Sequence, residues 1–527
     1  MNFILTNALI CPMDVPGISR HNSVLIVKGK ISRLGSLSEC QMAAPANTEV
    51  IDLQGKMLLP SFTDTHTHFV ELAKQRLQLD LTGCGSIGEV IGRIDAFIQK
   101  TDPLPEWVLG GGWDLNRLAD PGQINASLLD RFFPDTPVAL FGKDYHSKWC
   151  NTKALQIAGL TQNSSDPSGG KLGRDATGKL TGILYETAAE LLYPFEKPPG
   201  RDQISLALRE TIPEIHRLGI TAVHTMESRA SYEILQELVL QNHGLRVCWH
   251  FPLEELQTMI ADRRSSYSGD EWLKLGGVKI FADGSLGSQT AAIFTDYPSS
   301  PGNQGILRYS EEELYQLAAQ AEAQGICTTI HAIGVRAVRT VINAYLRFHQ
   351  AQQGQPCLRR IEHLQSIAPE DIPLLRQCGA WCALQPAHLA NDIDLIETHW
   401  PQIRDQAYTF KSLQEEGIPF GFGSDAPIET INPFHGIYSA IARRKGFDPK
   451  AEAWFSGQCL GVWEALYAYT LGAAQGSDSQ AYRGSITPGK AADLIALDDF
   501  TGLEPEFWLD ARSRLTMLEG RIVWEDL

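Results

Sequence analysis

The stretch Gly276-Gly277-Val278-Lys279-Ile280-Phe281-Ala282-Asp283 places a single lysine inside a short apolar run of β-type sequence. A lone ammonium group is costly to bury unless it is paired or loses its charge. A neutral lysine amine can take up CO2 and become a carbamate, which offers two oxygens to metal ions. The stretch therefore predicts a buried strand that carries a metal-binding lysine.

Lys279 belongs to a series of residues that stand at or just after the ends of short β-type runs, each run followed by helix-like sequence. The series consists of His66, His68, Lys279, His331, His363 and Asp425. Imidazole is a favoured ligand of zinc and similar metals, and i, i+2 spacing on a strand puts two imidazoles on one side. Asp425 can hold a metal and can also accept the proton of an attacking water. The series indicates a pair of metal ions and metal-assisted hydrolysis.

Eight strand candidates alternate with helical sequence between the two ends of the chain. They cover residues 61–66, 220–224, 245–250, 278–283, 326–331, 359–363, 381–385 and 420–425. Such alternation predicts parallel strands, and eight such units close into a TIM-type (β/α)8 barrel of the α/β class. Residues from about 100 to 200 form an insertion after the first strand. We interpret the insertion as a cap over the barrel mouth, since long insertions in compact domains are usually functional.

Both chain ends consist of short apolar runs separated by turn residues. Residues 1–57 and 476–527 have this texture, and the barrel is expected to occupy residues 58–475 between them. Neither end alone has enough strands for independent stability. The two ends are therefore predicted to pair into one small β-sandwich.

The composition of the chain argues against several classes of protein. The 527 residues carry a formal net charge of −17, which argues against a nucleic-acid or anionic-membrane partner. No apolar stretch approaches the length of a membrane span, and the first ten residues lack the basic start of a signal peptide, so we expect a cytoplasmic protein. The ten cysteines show no CxxC spacing and are expected to be reduced core thiols.

Five further residues are candidates for contact with a small-molecule substrate. Trp113, His146 and Glu186 lie in the insertion, His224 ends the second predicted strand, and His388 follows the seventh. Loops at the carboxyl ends of barrel strands form the active face of such a fold. These residues are therefore predicted to lie near the reaction, without assigned roles.

Several longer motifs run nearly from end to end of the chain: residues 62–68, 278–284, 331–334, 362–363, 423–427 and 489–494. With these motifs the chain resembles the amidohydrolase superfamily and, within it, the YtcJ-like amidohydrolase 3 family. The resemblance implies two divalent metal ions, expected to be zinc, with His66, His68 and Asp425 on one and His331 and His363 on the other. It also implies that carbamylated Lys279 and a hydroxide bridge the two ions.

The resemblance implies an enzyme that hydrolyses a carbon–nitrogen bond other than a peptide bond, in an amide, N-formyl, N-acyl or cyclic amide substrate. Asp425 would be its catalytic base, and a homodimer is the candidate assembly. Ester or lactone hydrolysis uses the same residues and stays open as the second interpretation. A deaminase would be expected to carry a glutamate just after the fifth strand, where residues 332–335 have none, and a non-catalytic binding protein would be expected to lose ligands.

Overall fold

The computed structural model describes residues 1–101, 103–114, 118–119, 121–142, 147–242, 244–351 and 357–527. The chain separates into two compact units. One unit contains Met1–Phe69 and Arg209–Leu527, and the other is Val70–Leu208. The second unit includes the whole predicted insertion but begins at residue 70 instead of about 100. Its role as a cap stays a prediction.

A parallel eight-stranded sheet dominates the first unit. Its strands are β1 (Phe62–Thr67), β2 (Ile220–Met226), β3 (Arg246–Pro252), β4 (Leu273–Phe281), β5 (Cys327–Ala332), β6 (Arg360–His363), β7 (Trp381–Leu384) and β8 (Phe420–Phe422). Each strand is hydrogen-bonded to the next in chain order. Just beyond β8, the Asp425 amide donates to the His66 carbonyl at 2.7 Å, so the sheet is nearly closed. The predicted eight-stranded parallel barrel is confirmed.

Helices follow the barrel strands, and nearly every strand residue is buried, either beneath helices or inside the barrel. The helix Glu311–Glu322, for example, begins at Ser310, whose side chain and that of Glu313 form a capping box. The helices of this unit are Leu37–Ala43, Arg229–Asn242, Leu256–Ala261, Glu311–Glu322, Val335–Ala351, Ile372–Cys378, Pro386–His399, Phe410–Glu415, Pro433–Ala442, Val462–Tyr469, Leu471–Gln475 and Phe507–Asp510. Two more, Phe69–Gln75 and Arg201–Arg217, cross the boundaries between the units.

Two smaller mixed sheets contain the terminal strands. Asn2–Thr6, Ser23–Val27, Lys30–Gly35 and Glu49–Asp52 form a four-stranded sheet, and Leu9–Ile10, Met57–Pro60, Leu494–Leu497, Leu515–Leu518 and Arg521–Glu525 form a five-stranded one. The five-stranded sheet joins the two ends of the chain, because Met57–Pro60 pairs with Leu494–Leu497. Residues of both sheets share one apolar cluster, among them Leu5, Val24 and Met517. A sandwich made of these two sheets stays a prediction.

The second unit has its own six-stranded sheet and its own apolar clusters. Its strands are Leu79–Asp80, Val108–Trp113, Val138–Gly142, Ser147–Cys150, Gly170–Arg174 and Leu180–Glu186, and its helices are Ile87–Lys100, Ala126–Asp130, Thr152–Ile157 and Thr187–Glu190. The unit therefore has a core of its own and is more than an extended loop.

The cysteines differ from the expectation in one place. Cys327, the first residue of β5, forms a disulfide with Cys357, which lies 30 positions along the chain. The expectation that all ten thiols are reduced was wrong for this pair, because β5 and the segment before β6 run side by side and sequence spacing does not show it. The other eight cysteines form no disulfide in the described part of the chain. Among the helices described, none combines the length and the apolarity needed to cross a membrane.

Candidate metal centre

The six predicted metal-binding residues come together where the barrel strands end. His66 is on β1 and His68 directly follows it, while Lys279, His331 and His363 are on β4, β5 and β6. Asp425 follows β8 and sits beside His66 because the two backbones are hydrogen-bonded. The carboxyl ends of parallel barrel strands meet on one face, so residues far apart in sequence become neighbours there.

The backbone leaves the extended conformation at two of these positions. His363 has φ 72° and Asp425 has φ 60°, which is the left-handed region that residues other than glycine seldom adopt. Successive side chains on a strand normally point to opposite faces. At the end of β6, however, both Glu362 and His363 reach His66. Glu362 Oε2 is 2.5 Å from His66 Nδ1, and the ring centroids of His363 and His66 are 4.7 Å apart. Backbone strain at such residues is characteristic of functional sites.

The side chains of this cluster are close enough to share metal ions. One donor atom each of His66, His363 and Asp425 lies within 4.8 Å of the other two. Asp425 Oδ1 is 3.4 Å from His66 Nε2 and 3.2 Å from His68 Nε2. The ring of His331 is 4.5 Å from that of His363. The cluster thus offers nitrogen and oxygen donors in the mixture that zinc accepts.

Three of the imidazoles are fixed so that Nε2 carries the lone pair. The Nδ1 atoms of His66, His68 and His363 each face an oxygen that can only accept a hydrogen bond, so each Nδ1 must carry the proton. The Gln385 amide is oriented by its own Nε2, which donates to the Ala383 carbonyl at 3.1 Å. The acceptors are Glu362 Oε2 at 2.5 Å, Met226 O at 3.0 Å and Gln385 Oε1 at 3.0 Å. Metal-binding histidines are typically held in this way.

His331 has the opposite tautomer and leaves an atom without a partner. Its Nε2 donates to the Gly284 carbonyl at 2.9 Å, which leaves Nδ1 with the lone pair. That Nδ1 and Asp425 Oδ1 are both buried and have no hydrogen-bond partner among the described residues. Native proteins rarely leave buried polar atoms unpaired, and where they do, the atoms often face a bound ion. The donor atoms of the cluster therefore fit a metal centre.

The charge states of four of these residues, His66, His331, His363 and Asp425, also fit. Burial lowers the pKa of His331 to about 3 and holds the pKa values of His66 and His363 well below their usual range. Burial alone would raise the pKa of Asp425, but the imidazoles around it, led by His66, keep that pKa well below its ordinary value. Neutral imidazoles and an ionised carboxylate are the forms that bind a metal.

Lys279 is wholly enclosed, and its Nζ lies 3.5 Å from His66 Nε2 and 3.3 Å from Met226 Sδ. Neither neighbour is anionic, and no carboxylate among the described residues forms an ion pair with this amine. Burial lowers the pKa of Lys279 to about 8. Burial therefore makes the neutral amine, the form that reacts with CO2, more abundant near neutral pH than it is for an exposed lysine.

Two carboxylates of the site were not among the sequence candidates. Glu362 binds His66 and is held in turn by Arg360, whose Nε donates to Glu362 Oε1 at 2.9 Å. Asp283 lies 3.5 Å from His331 and accepts hydrogen bonds from three backbone amides at 2.8–3.0 Å. Both residues belong to the sequence motifs, Asp283 at the end of the lysine run and Glu362 before His363. The position of each carboxylate inside one of these motifs was the signal that could have identified it.

His224 differs from the expected substrate contact. Strand β2 runs on to Met226, so His224 lies inside the barrel and is completely buried. Its Nδ1 accepts a hydrogen bond from Arg360 at 2.9 Å. The His224 side chain is therefore not accessible to a substrate. It instead helps to hold the Arg360 guanidinium in position.

Among the substrate candidates of the first unit, His388 lies beside the centre. Its Nε2 lies 3.6 Å from Asp425 Oδ2. Trp113 was expected to touch substrate, but it is 3% exposed, packs in the core of the second unit and donates to the Leu140 carbonyl. Glu186 is an exposed strand-end residue of the same unit with φ 52°. His146 lies outside the described residues.

We expect the substitution Glu362→Gln to lower metal affinity by about 10- to 100-fold, because a neutral amide would hold the His66 ring less firmly than a carboxylate does. Competition with a chelator would measure this affinity. Glu322→Gln is the matched control, since Glu322 is also buried and pairs with an arginine, Arg359, but touches no ligand. Equal metal affinity in both variants would contradict the supporting role of Glu362.

Comparison with known proteins gives consistent matches over nearly the whole chain. Residues 49–524 match the model of the Amidohydrolase family. YtcJ of Bacillus subtilis, which carries the name amidohydrolase, is 30% identical over 96% of this chain and 96% of its own length. The N-substituted formamide deformylase of Arthrobacter pascens is 25% identical over 94% of this chain and 93% of its own. The crystal structure of a metal-dependent hydrolase from Pyrococcus furiosus superposes with a TM-score of 0.77 at 26% identity, covering 96% of this chain and 100% of that one.

Proposed function

The chain belongs to the amidohydrolase family, and from this we propose that it hydrolyses a carbon–nitrogen bond of an amide, N-formyl, N-acyl or cyclic amide substrate with the help of two metal ions. The observation that carries the proposal is the arrangement of the four histidines. Each donates one N–H to a fixed oxygen and keeps the other nitrogen available to a metal. An N-substituted formamide deformylase among the relatives supports the carbon–nitrogen class.

The metal ions would be held by the residues that the donor set provides. His66, His68 and Asp425 would hold one and His331 and His363 the other, with Lys279 joining both as a carbamate. Divalent zinc suits these donors, and when bound it would polarise the scissile carbonyl and make the attacking water more acidic. Lys279 would contribute the carbamate oxygens because its buried amine has no anionic partner.

Asp425 would move the proton. Its Oδ1 is buried and faces His66 and His68, so the carboxylate can accept a proton from the attacking water and return it to the leaving nitrogen. His388, 3.6 Å from the other oxygen of Asp425, would orient that carboxylate. A serine or cysteine nucleophile is not required for this reaction.

We expect that removing the metal abolishes turnover and that zinc restores it, because the chain's side chains alone cannot acidify the water. The protein would be treated with a chelator, dialysed and assayed on N-formyl, N-acyl, cyclic-amide and lactone compounds before and after zinc is added. Amide hydrolysis that returns with zinc supports the proposal. Turnover restricted to lactones would favour ester hydrolysis instead, and turnover that survives metal removal would contradict the proposal.

A further inference from the structure

Arg308 places a positive charge at the carboxyl end of β4, near the metal centre. Its backbone amide donates to the Ala282 carbonyl at 2.8 Å, which fixes its position just beyond the strand. Its side chain is exposed and makes no hydrogen bond or ion pair with any other described residue. Two nearby arginines differ, since Arg339 pairs with Asp371 at 2.8 Å and Arg336 donates to the Gln304 carbonyl.

Phe281 connects this guanidinium to the metal ligands. The Phe281 ring centroid is 5.6 Å from the Arg308 guanidinium carbon, 5.1 Å from Lys279 Nζ and 5.1 Å from the ring of His331. The side chain is 40% exposed, which is unusual for a phenylalanine that ends a barrel strand. A ligand of the metal centre would therefore meet the exposed part of this side chain and the guanidinium beside it.

The charge of Arg308 is suited to one kind of ligand. A guanidinium offers a rigid pair of donors that matches the two oxygens of a carboxylate, and stacking on an aromatic ring fixes its orientation. The chain as a whole has a net charge of −17, so an unpaired cation next to the centre also offsets the repulsion that an anion would meet. A neutral amide would gain less, because its carbonyl can accept a hydrogen bond but carries no charge.

We propose that Arg308, supported by Phe281, forms a subsite for the carboxylate of an anionic amide substrate. This inference rests on the proposed function, because it places the subsite beside the amide-cleaving centre. The inference adds that the substrate is an anion, a property that neither the fold nor the candidate metal-binding residues determine.

The test compares two probes that differ only at one group, N-formylphenylalanine with its charged carboxylate and N-formylphenylalaninamide with a neutral primary amide in that place. Their dissociation constants would be measured by calorimetry with the zinc-loaded full chain, at a temperature and time at which turnover is negligible or with Asp425→Asn as the common background. We expect the carboxylate to bind about tenfold more tightly or better, as for other hydrogen bonds to charged groups. Arg308→Gln should remove this preference, and Arg308→Lys should retain part of it.

A carboxylate can also bind zinc directly. Only the part of the preference for the carboxylate probe that disappears in Arg308→Gln is therefore evidence for the subsite. Arg376→Gln is the matched control, because Arg376 is an exposed arginine paired with Glu416 on a helix of the same unit. It should leave the preference unchanged. A preference that survives in Arg308→Gln, no preference in the parent protein, or no binding of either probe would each overturn the inference.

The hydrolysis assay separates this inference from the proposed function. Amide turnover without an Arg308-dependent preference overturns the subsite and leaves the proposed function standing. An Arg308-dependent preference without turnover of any amide supports the subsite and overturns the proposed function.

Discussion

Asp425→Asn is expected to lower turnover by about 10²- to 10⁴-fold, the usual effect of removing a general base. Asparagine has nearly the same shape and can still offer an oxygen to a metal, but it cannot accept a proton at neutral pH. The buried Oδ1 of Asp425, beside His66 and His68, is the carboxylate oxygen closest to their Nε2 atoms among the described residues. The variant should therefore fold and keep most of its metal while losing nearly all activity.

The rate and the metal content of Asp425→Asn would be measured on the same preparation. Asp371→Asn is the matched control, because Asp371 is also buried but pairs with Arg339 and contacts none of the ligands. The control should retain its rate. Turnover of Asp425→Asn within a few-fold of the parent would mean that another residue carries the proton, and His388, which lies beside the same carboxylate, would be examined first.

Lys279→Ala is expected to lower turnover by about a hundredfold or more, because it removes the group that would join the two metal ions. Small carboxylates such as formate or acetate resemble the carboxylate end of a carbamate and fit the space that the lysine side chain leaves. Added in excess, they should restore part of the activity of Lys279→Ala but none of the activity of Lys279→Arg, which fills that space with a permanent charge.

Lys274→Ala provides the control for this experiment. Lys274 is on the same strand as Lys279 but near its beginning, where its amine donates to the Asp478 carbonyl and the Ser479 hydroxyl. It should keep the parent rate with or without added carboxylate. Full activity in Lys279→Ala would contradict a role for the lysine in the centre.

The barrel and the grouping of the candidate metal-binding residues could be predicted because both depend on local patterns. Each barrel strand is a short run of β-type sequence, and His331 and His363 mark the rim because they stand at or near the ends of their runs. The order of the strands then follows from the rules for parallel sheets. The same patterns do not show how far a strand continues, so His224 was placed at the rim although β2 extends two residues beyond it.

Interactions between distant parts of the chain could not be predicted in the same way. Glu362 and His66 are 296 positions apart, and nothing in either motif shows that one orients the other. Arg360 is completely buried inside the barrel, where it binds Glu362, His224 and His250, although an arginine at the start of a strand is usually exposed. Trp113 was misjudged for a related reason, since an aromatic residue of the insertion can as well belong to that unit's core.

The number of metal ions per chain tests the central claim most directly. Protein purified without chelators and saturated with zinc would be analysed for metal and for protein concentration, in parallel with Lys279→Ala. Our account predicts about two ions per chain in the parent and a clear loss of bound metal in the variant. One tightly held ion in both proteins would contradict a two-metal centre joined by Lys279.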